Sequence, residues 1–101
     1  MDNYFVLSGA LCRHPERSES PAGIPHTVLT LEHRSMQQEA GLNRQAYVRM
    51  QVVLSGTVLQ QHAQHLTLGS TVRVSGFLNR HQSRSGQAKL VLHAQQIEQL
   101  S

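Results

Sequence analysis

Apolar and polar residues alternate along much of this 101-residue chain, and the spacing predicts strands rather than helices. The clearest run is Gln45 to Ser55. There Val48, Met50, Val52 and Leu54 form one set, and Tyr47, Arg49, Gln51 and Val53 form the other. Period-two alternation of this kind sets one face on a core and turns the other outward. Ahead of it lie Asn3 to Arg13, with Gly9 in its middle, and His26 to His33, where Thr27, Leu29 and Leu31 alternate with Val28, Thr30 and Glu32. Behind it come Ser70 to Leu78, with Val72 and Val74 opposite Arg73, Ser75 and Phe77, and then Ala88 to Ile97. An interior glycine in a strand marks a bulge or sharp bend, so the first strand is expected to bend at Gly9.

The connections read as follows. His14 to Pro25 holds all three prolines, Arg34 to Arg44 is a polar link, and Asn79 to Gln87 is a long polar hairpin tip. Thr57 to Leu66 lacks alternation and reads as one short helix with Thr57 as its N-cap. Five strands, a bent first strand and at most one short helix predict an all-β OB-fold, a five-stranded Greek-key barrel occupying residues 1–101 as a single domain. Phe5 and Phe77 are expected in its core.

Length and composition narrow the function. A chain of this size removes roughly 60–65% of its unfolded surface from water, enough for one core and little for a deep cavity. No apolar run approaches the ~18 residues of a membrane span. Met1-Asp2-Asn3 places an acid where an export signal wants Lys or Arg, and Leu11 before Cys12 is a poor lipoprotein site. Cys12 is the only cysteine, so no intrachain disulfide forms and a cytoplasmic protein is expected.

Charge is uneven. The formal net charge is +3, yet residues 1–39 carry three Arg against five acidic residues, while residues 40–97 carry Arg44, Arg49, Arg73, Arg80, Arg84 and Lys89 with no acid at all. A stretch of this sign either attracts polyanions or serves as a solvated face.

Catalytic chemistry is poorly supplied. Of seven histidines, His62 and His65 stand three apart in the expected helix, but no Asp, Glu or Cys nearby completes a metal site. His26, His33, His81 and His93 are expected at the surface or at strand ends. No phosphate loop with its Lys and no nucleophile elbow occurs. The expectation is therefore no enzyme, no cofactor and no metal. Binding chemistry is better supplied. Tyr47 and Arg49 are two apart on one strand and share a face, one offering a ring for a base and the other a guanidinium for phosphate. Arg34 and Arg44 are expected to cluster around the loop between strands two and three, and Arg80, Arg84 and Lys89 around the hairpin between strands four and five. An OB-fold binds oligonucleotides with these same parts.

The chain resembles the bacterial single-stranded-DNA-binding proteins, and within them the branch that serves the replication-restart primosome. Val6-Leu7-Ser8-Gly9, Ser20-Pro21-Ala22-Gly23-Ile24-Pro25-His26 and Leu31-Glu32-His33-Arg34-Ser35 carry the resemblance, with Gln38-Glu39-Ala40-Gly41, Arg44-Gln45-Ala46, Val74-Ser75-Gly76-Phe77 and Val91-Leu92-His93-Ala94. The resemblance implies an OB-fold homodimer that binds single-stranded DNA and bridges the PriA helicase to the loading protein DnaT. It implies aromatic residues at the Tyr47 and Leu42 positions, of which this chain keeps only the first, and basic residues at Arg13, Arg34, Arg44, Arg84 and Lys89. Ser18 and Gln82 replace lysines frequent in the family, with Arg17 and Arg80 as candidate substitutes. The first strand is apolar on both faces, which also favours pairing with a second copy. Two other readings stay open: a protein-interaction module with weak DNA contact, favoured by Leu42, and an OB-fold that binds RNA.

Overall fold

The computed structural model describes residues Met1–Ser101. Seven elements follow one another: β1 (Phe5–Leu11), β2 (Glu16–Glu19), β3 (Pro25–Glu39), β4 (Leu42–Ser55), α1 (Thr57–Ala63), β5 (Thr71–Gln82) and β6 (Ala88–Gln99). The sheet runs in the order β1-β5-β6-β4-β3-β2, and an additional β1–β3 pairing closes it into a barrel. The five barrel strands are the expected ones. The sixth, β2, lies in the expected proline-rich loop as a wholly exposed four-residue addition to the edge of β3.

Closure depends on two seams. The parallel β4–β6 pairing spans only Gln51↔Val91 to Val53↔His93. The β1–β3 pairing spans only Ala10↔Glu32 and Leu11↔Leu31, where β1 leaves β5. Gly9 sits at this hand-over, and a Cβ there would lie 2.5 Å from the Glu32 carbonyl oxygen. The expected bend is thus a close backbone approach that only glycine permits. Gly76 has the same function on β5, where a Cβ would collide with the His93 carbonyl. Beside it, Ser75 pairs with Gln96 and Gly76 with Ala94, so Gln95 is an extra residue in β6. The bulge reverses the alternation of β6: Ile97 packs on the core, whereas His93, an even number of residues away, points outward.

The core holds Leu7, Leu11, Leu29, Leu31, Val52, Leu54, Val72, Val74 and Leu92, with Ala63 and Leu66 covering one end. Full burial of such aliphatic side chains contributes about 1.5–3 kcal/mol each before entropy is counted. The helix is locked to the barrel through Gln60, whose amide donates to the Leu54 carbonyl at 2.9 Å and whose carbonyl oxygen accepts the Thr27 hydroxyl. Gly56, with φ of 93°, is the N-cap residue, so Thr57 is the first helical residue and not the cap. Phe5 packs against the core as expected, but Phe77 stands outward with Arg73, where alternation opposite Val72 and Val74 puts it.

Both hairpins are longer than their sequences indicate. The Arg34–Arg44 link is the far half of a β3–β4 ribbon in unbroken register, turned at Ala40 and Gly41 with φ of 51° and 75°. Two successive residues at positive φ make a type I′ turn, whose twist matches that of the strands. Polar side chains on both sides of the ribbon hide its period.

Replacing Gly76 by Ala forces a backbone shift and is expected to cost about 1–3 kcal/mol or more in urea unfolding. An unchanged midpoint would contradict the close approach.

Candidate nucleic-acid interface

The strands turn a polar outer wall to solvent. On β3 it carries Thr30, Glu32 and Arg34, and on β4 Tyr47, Arg49 and Gln51; their core-facing neighbours are Leu29 and Leu31, and Val48, Met50 and Val52. The I′ turn sets the register, so Arg34 lies opposite Tyr47 and Glu32 opposite Arg49. The Arg34 guanidinium sits over the Tyr47 ring, 4.6 Å from its centroid, a distance at which the ring's quadrupole attracts a cation. The Tyr47 hydroxyl donates to Glu32 Oε2 at 3.0 Å, and Arg34 donates to Glu32 Oε1 at 3.3 Å. One face of an exposed ring is therefore covered by a guanidinium, its edge is tethered by a carboxylate, and Arg49 stands two residues further along the same strand, opposite Glu32.

The hydrogen bond to Glu32 raises the Tyr47 pKa above the ordinary phenol value; slight desolvation and the carboxylate charge add to this, against the pull of Arg34 and Arg49. Glu32 is the residue that sequence reasoning missed. Placing the turn at Ala40-Gly41 would have put Glu32 and Arg34 beside Tyr47 and Arg49.

The other basic residues are distributed differently. Arg44 is opposite Gln37, paired with Glu39 at 3.5 Å, and by alternation lies on the other face of the ribbon from Tyr47. Arg34 and Arg44 therefore do not cluster at the loop. In the second hairpin Lys89 pairs with His81 and shares the outer wall, Arg80 pairs with Leu90 on the opposite face, and Arg84 occupies the Ser83–Gln87 tip. Arg13 lies between β1 and β2. Arg17 donates to the Ala63 carbonyl at 3.3 Å and so joins β2 to the end of α1, away from the hairpin. Leu42 is exposed at the start of β4 and brings no ring.

The histidines are also sorted by the fold. His33 holds the β1 bend through Nδ1, which donates to the Ser8 carbonyl at 2.7 Å, and through Nε2, bonded to the Ser35 hydroxyl. His81 and His93 join Nε2 to Nε2 at 2.7 Å, one N–H donating to the other's lone pair, and His93 stacks on Phe77 with centroids 5.0 Å apart. Burial, and then the nearby His81, lower the His93 pKa below the usual imidazole value. No three His, Cys, Asp or Glu side chains come together as a metal cluster.

A closed five-stranded barrel with a long β3–β4 ribbon, a short helix across one end and a basic, ring-bearing outer wall defines an OB-fold of the single-strand-binding type. Comparison with known proteins agrees. A family described as "Another single-strand binding protein family" matches residues 3–96. The replication restart protein PriB of Photorhabdus laumondii is 58% identical over 96 residues, which make up 95% of this chain and 91% of that protein. PriB of Escherichia coli O1:K1 / APEC is 50% identical over 98 residues, 97% of this chain and 94% of that one. Among solved structures, PriB of Ralstonia solanacearum superposes with a TM-score of 0.78 at 21% identity, covering 98% of this chain and 99% of that one. The single-stranded DNA binding protein of Thermus aquaticus gives 0.81 at 23% identity over 98% of this chain, which spans 50% of that protein. The chain belongs to this single-strand binding family, on the branch of the replication restart proteins PriB.

In a Tyr4→Phe background, Tyr47 is the only tyrosine left to titrate. Its near-ultraviolet titration should fall above the ordinary phenol range, and Glu32→Gln should bring it down. Coincident curves would show that the tether is absent in solution.

Proposed function

We propose that this chain is a single-stranded-DNA-binding accessory protein of the replication-restart primosome, a cytoplasmic homodimer that bridges the PriA helicase, DNA and DnaT. The observation that carries the DNA reading is the Arg34–Tyr47–Arg49 cluster on the outer wall. A base stacks on the open face of Tyr47, and phosphates are met by Arg34, Arg49 and Lys89, with Arg13, Arg44, Arg80 and Arg84 adding to the surrounding positive field. Family membership supports the placement in replication restart, and with it the bridging role. The homodimer is supported by β1, which pairs with β5 along one edge and reaches β3 only at Ala10 and Leu11, leaving the other edge free for a second copy.

Two features limit the grip on DNA. Leu42 supplies no ring where the ribbon begins to return, and Glu32 sets a carboxylate in the middle of the wall. They favour a second reading, in which the module is mainly a protein bridge with weak DNA contact.

Fluorescence anisotropy with labelled oligo-dT, and duplex as control, separates the two. Neutralising ~4 phosphates gives a slope of log K against log[salt] near −3. Tyr47→Ala is expected to weaken binding by ~1–3 kcal/mol, about 5- to 150-fold. Arg84→Ala with Lys89→Ala should weaken binding and flatten the slope by about 1.4. Unchanged affinity in the triple variant would contradict the DNA reading and leave protein bridging. For the dimer, sedimentation equilibrium at micromolar concentration should give twice the chain mass, and a monomer mass would contradict it.

A further inference from the structure

Between the Tyr47 cluster and the far edge of the barrel, the outer wall carries a second group of rings. Phe77 on β5 pairs with His93 on β6, and their rings lie parallel within 4° at 5.0 Å. His81 holds the far side of His93 through the Nε2–Nε2 bond. The two ring centroids are 4.9 Å apart, close to the nitrogens' 2.7 Å plus two ring radii, so the imidazoles meet edge to edge. On the other side of Phe77, register places Tyr4. Phe5 is opposite Gly76, and the Asn3 side chain extends the pairing, its amide donating to the Leu78 carbonyl at 2.8 Å and its carbonyl oxygen accepting the Leu78 N–H at 3.0 Å. Tyr4 is 70% exposed and Phe77 36%. Tyr4, at the entry to β1, Phe77 on β5 and His93 on β6 therefore form a row.

This row is continuous with the Tyr47 cluster. Val53 of β4 is in register with His93, and Gln51 with Val91; Arg49 and Lys89 lie two residues earlier on the same faces of their strands. Six residues of β4 separate Val53 from Tyr47, about 20 Å of strand. The wall between them holds Arg49, Lys89, Gln51 and Asn79 over a floor made by Val91, which is buried yet stands outside the core cluster. Residues 40–97 contain no Asp or Glu, so β4 and β5 bring no carboxylate to this surface, and β6 only Glu98, which binds Arg73 at 3.4 Å.

We propose that the Tyr4–Phe77–His93 row is a second stacking platform for the bases of the same single strand, which runs from Tyr47 past Arg49 and Lys89 onto these rings. The inference rests on the DNA reading above and extends it to a site with its own residues. Every base has a π-face, so a platform of rings takes bases without regard to sequence, while the cations and amides along the way hold the backbone. The His81–His93 bond fixes the His93 ring at one end of the row, and the Asn3–Leu78 bonds fix the chain that presents Tyr4 at the other. Charge selects the occupant, because Arg49 and Lys89 line the way between the two groups of rings and the strands β4 to β6 bring only Glu98, which binds Arg73. A second copy has the free edge of β1, which lies in the plane of the sheet and leaves this face open.

The test uses the full chain and oligo-dT bearing 5-iodouracil at single positions, with crosslinked residues mapped by mass spectrometry. Two crosslink sites are expected on long oligonucleotides: Tyr47, and the peptides that contain Tyr4, Phe77 or His93. Phe77→Leu keeps the apolar volume and loses the ring. It should weaken binding of a long oligonucleotide by about 5- to 150-fold, without affecting one too short to reach past Tyr47. Tyr4→Leu, at an exposed position with no part in the core, should act in the same direction. Crosslinks at Tyr47 alone, with unchanged affinity in both variants, would overturn the platform and leave the DNA reading standing. Absence of any single-strand binding overturns both. A Phe77→Leu chain that loses mass in sedimentation while keeping its DNA affinity assigns the row to a second copy and also overturns the proposal.

Discussion

Barrel closure is the constraint on which the rest of this structure depends. Fifteen-residue β3 and fourteen-residue β4 form a ribbon far longer than the barrel is wide, yet only five register positions, two on β1–β3 and three on β4–β6, join its edges to the other barrel strands. Backbone must approach backbone more closely than a side chain allows, and Gly9 and Gly76 sit where it does. Once closed, the sheet has an inside for Leu29, Leu31, Val52, Leu54, Val72, Val74 and Leu92, and the alternate residue of each strand is turned outward. The inner set supplies the hydrophobic stabilisation, while the outer set is left to solvent.

The outer set has a definite chemistry. Opposed strands bring Arg34 over Tyr47 and Arg49 beside Glu32, and the bulge at Gln95 turns His93 out to stack on Phe77. Rings that are held in place lose little conformational freedom when a base arrives, which is the advantage of fixing them by a hydrogen bond or a guanidinium. Glu32 has the opposite effect on phosphate. It orders Tyr47 but adds a negative charge to the wall, so that on the proposed DNA face order is balanced against charge. Exposed ion pairs such as Arg44–Glu39 and Arg73–Glu98 contribute little to stability and leave their arginines accessible.

Much of the fold was legible wherever one face of a strand is buried. Val48, Met50, Val52 and Leu54 marked β4 by period alone, and Gly9 marked the bend. The period fails where both faces meet water. The Arg34–Arg44 segment is mostly polar, its Met36 and Leu42 are exposed, and it read as a link, although Ala40-Gly41 could have been read as a two-residue turn and would then have given the register. Strand β2, Glu-Arg-Ser-Glu, is exposed at every residue and carries no pattern. The site was legible in its residue types more than in its geometry. Tyr47 and Arg49 share a face as expected, whereas Arg44 and Arg80 fall on opposite faces from the main cluster. Phe77 was expected in the core, against its own alternation. His93 could not be placed without the bulge, which no local residue signals, and the His81–His93 bond follows only from that placement.

The most direct test of the claim that the outer wall is the recognition surface is a nitrogen-15 amide titration of the full chain with unlabelled oligo-dT. The account predicts shifts that concentrate on Glu32, Arg34, Tyr47 and Arg49 and continue through Lys89 to His93, Phe77 and Tyr4, with α1 unmoved. Shifts confined to α1 and β2, with the wall silent, would contradict it.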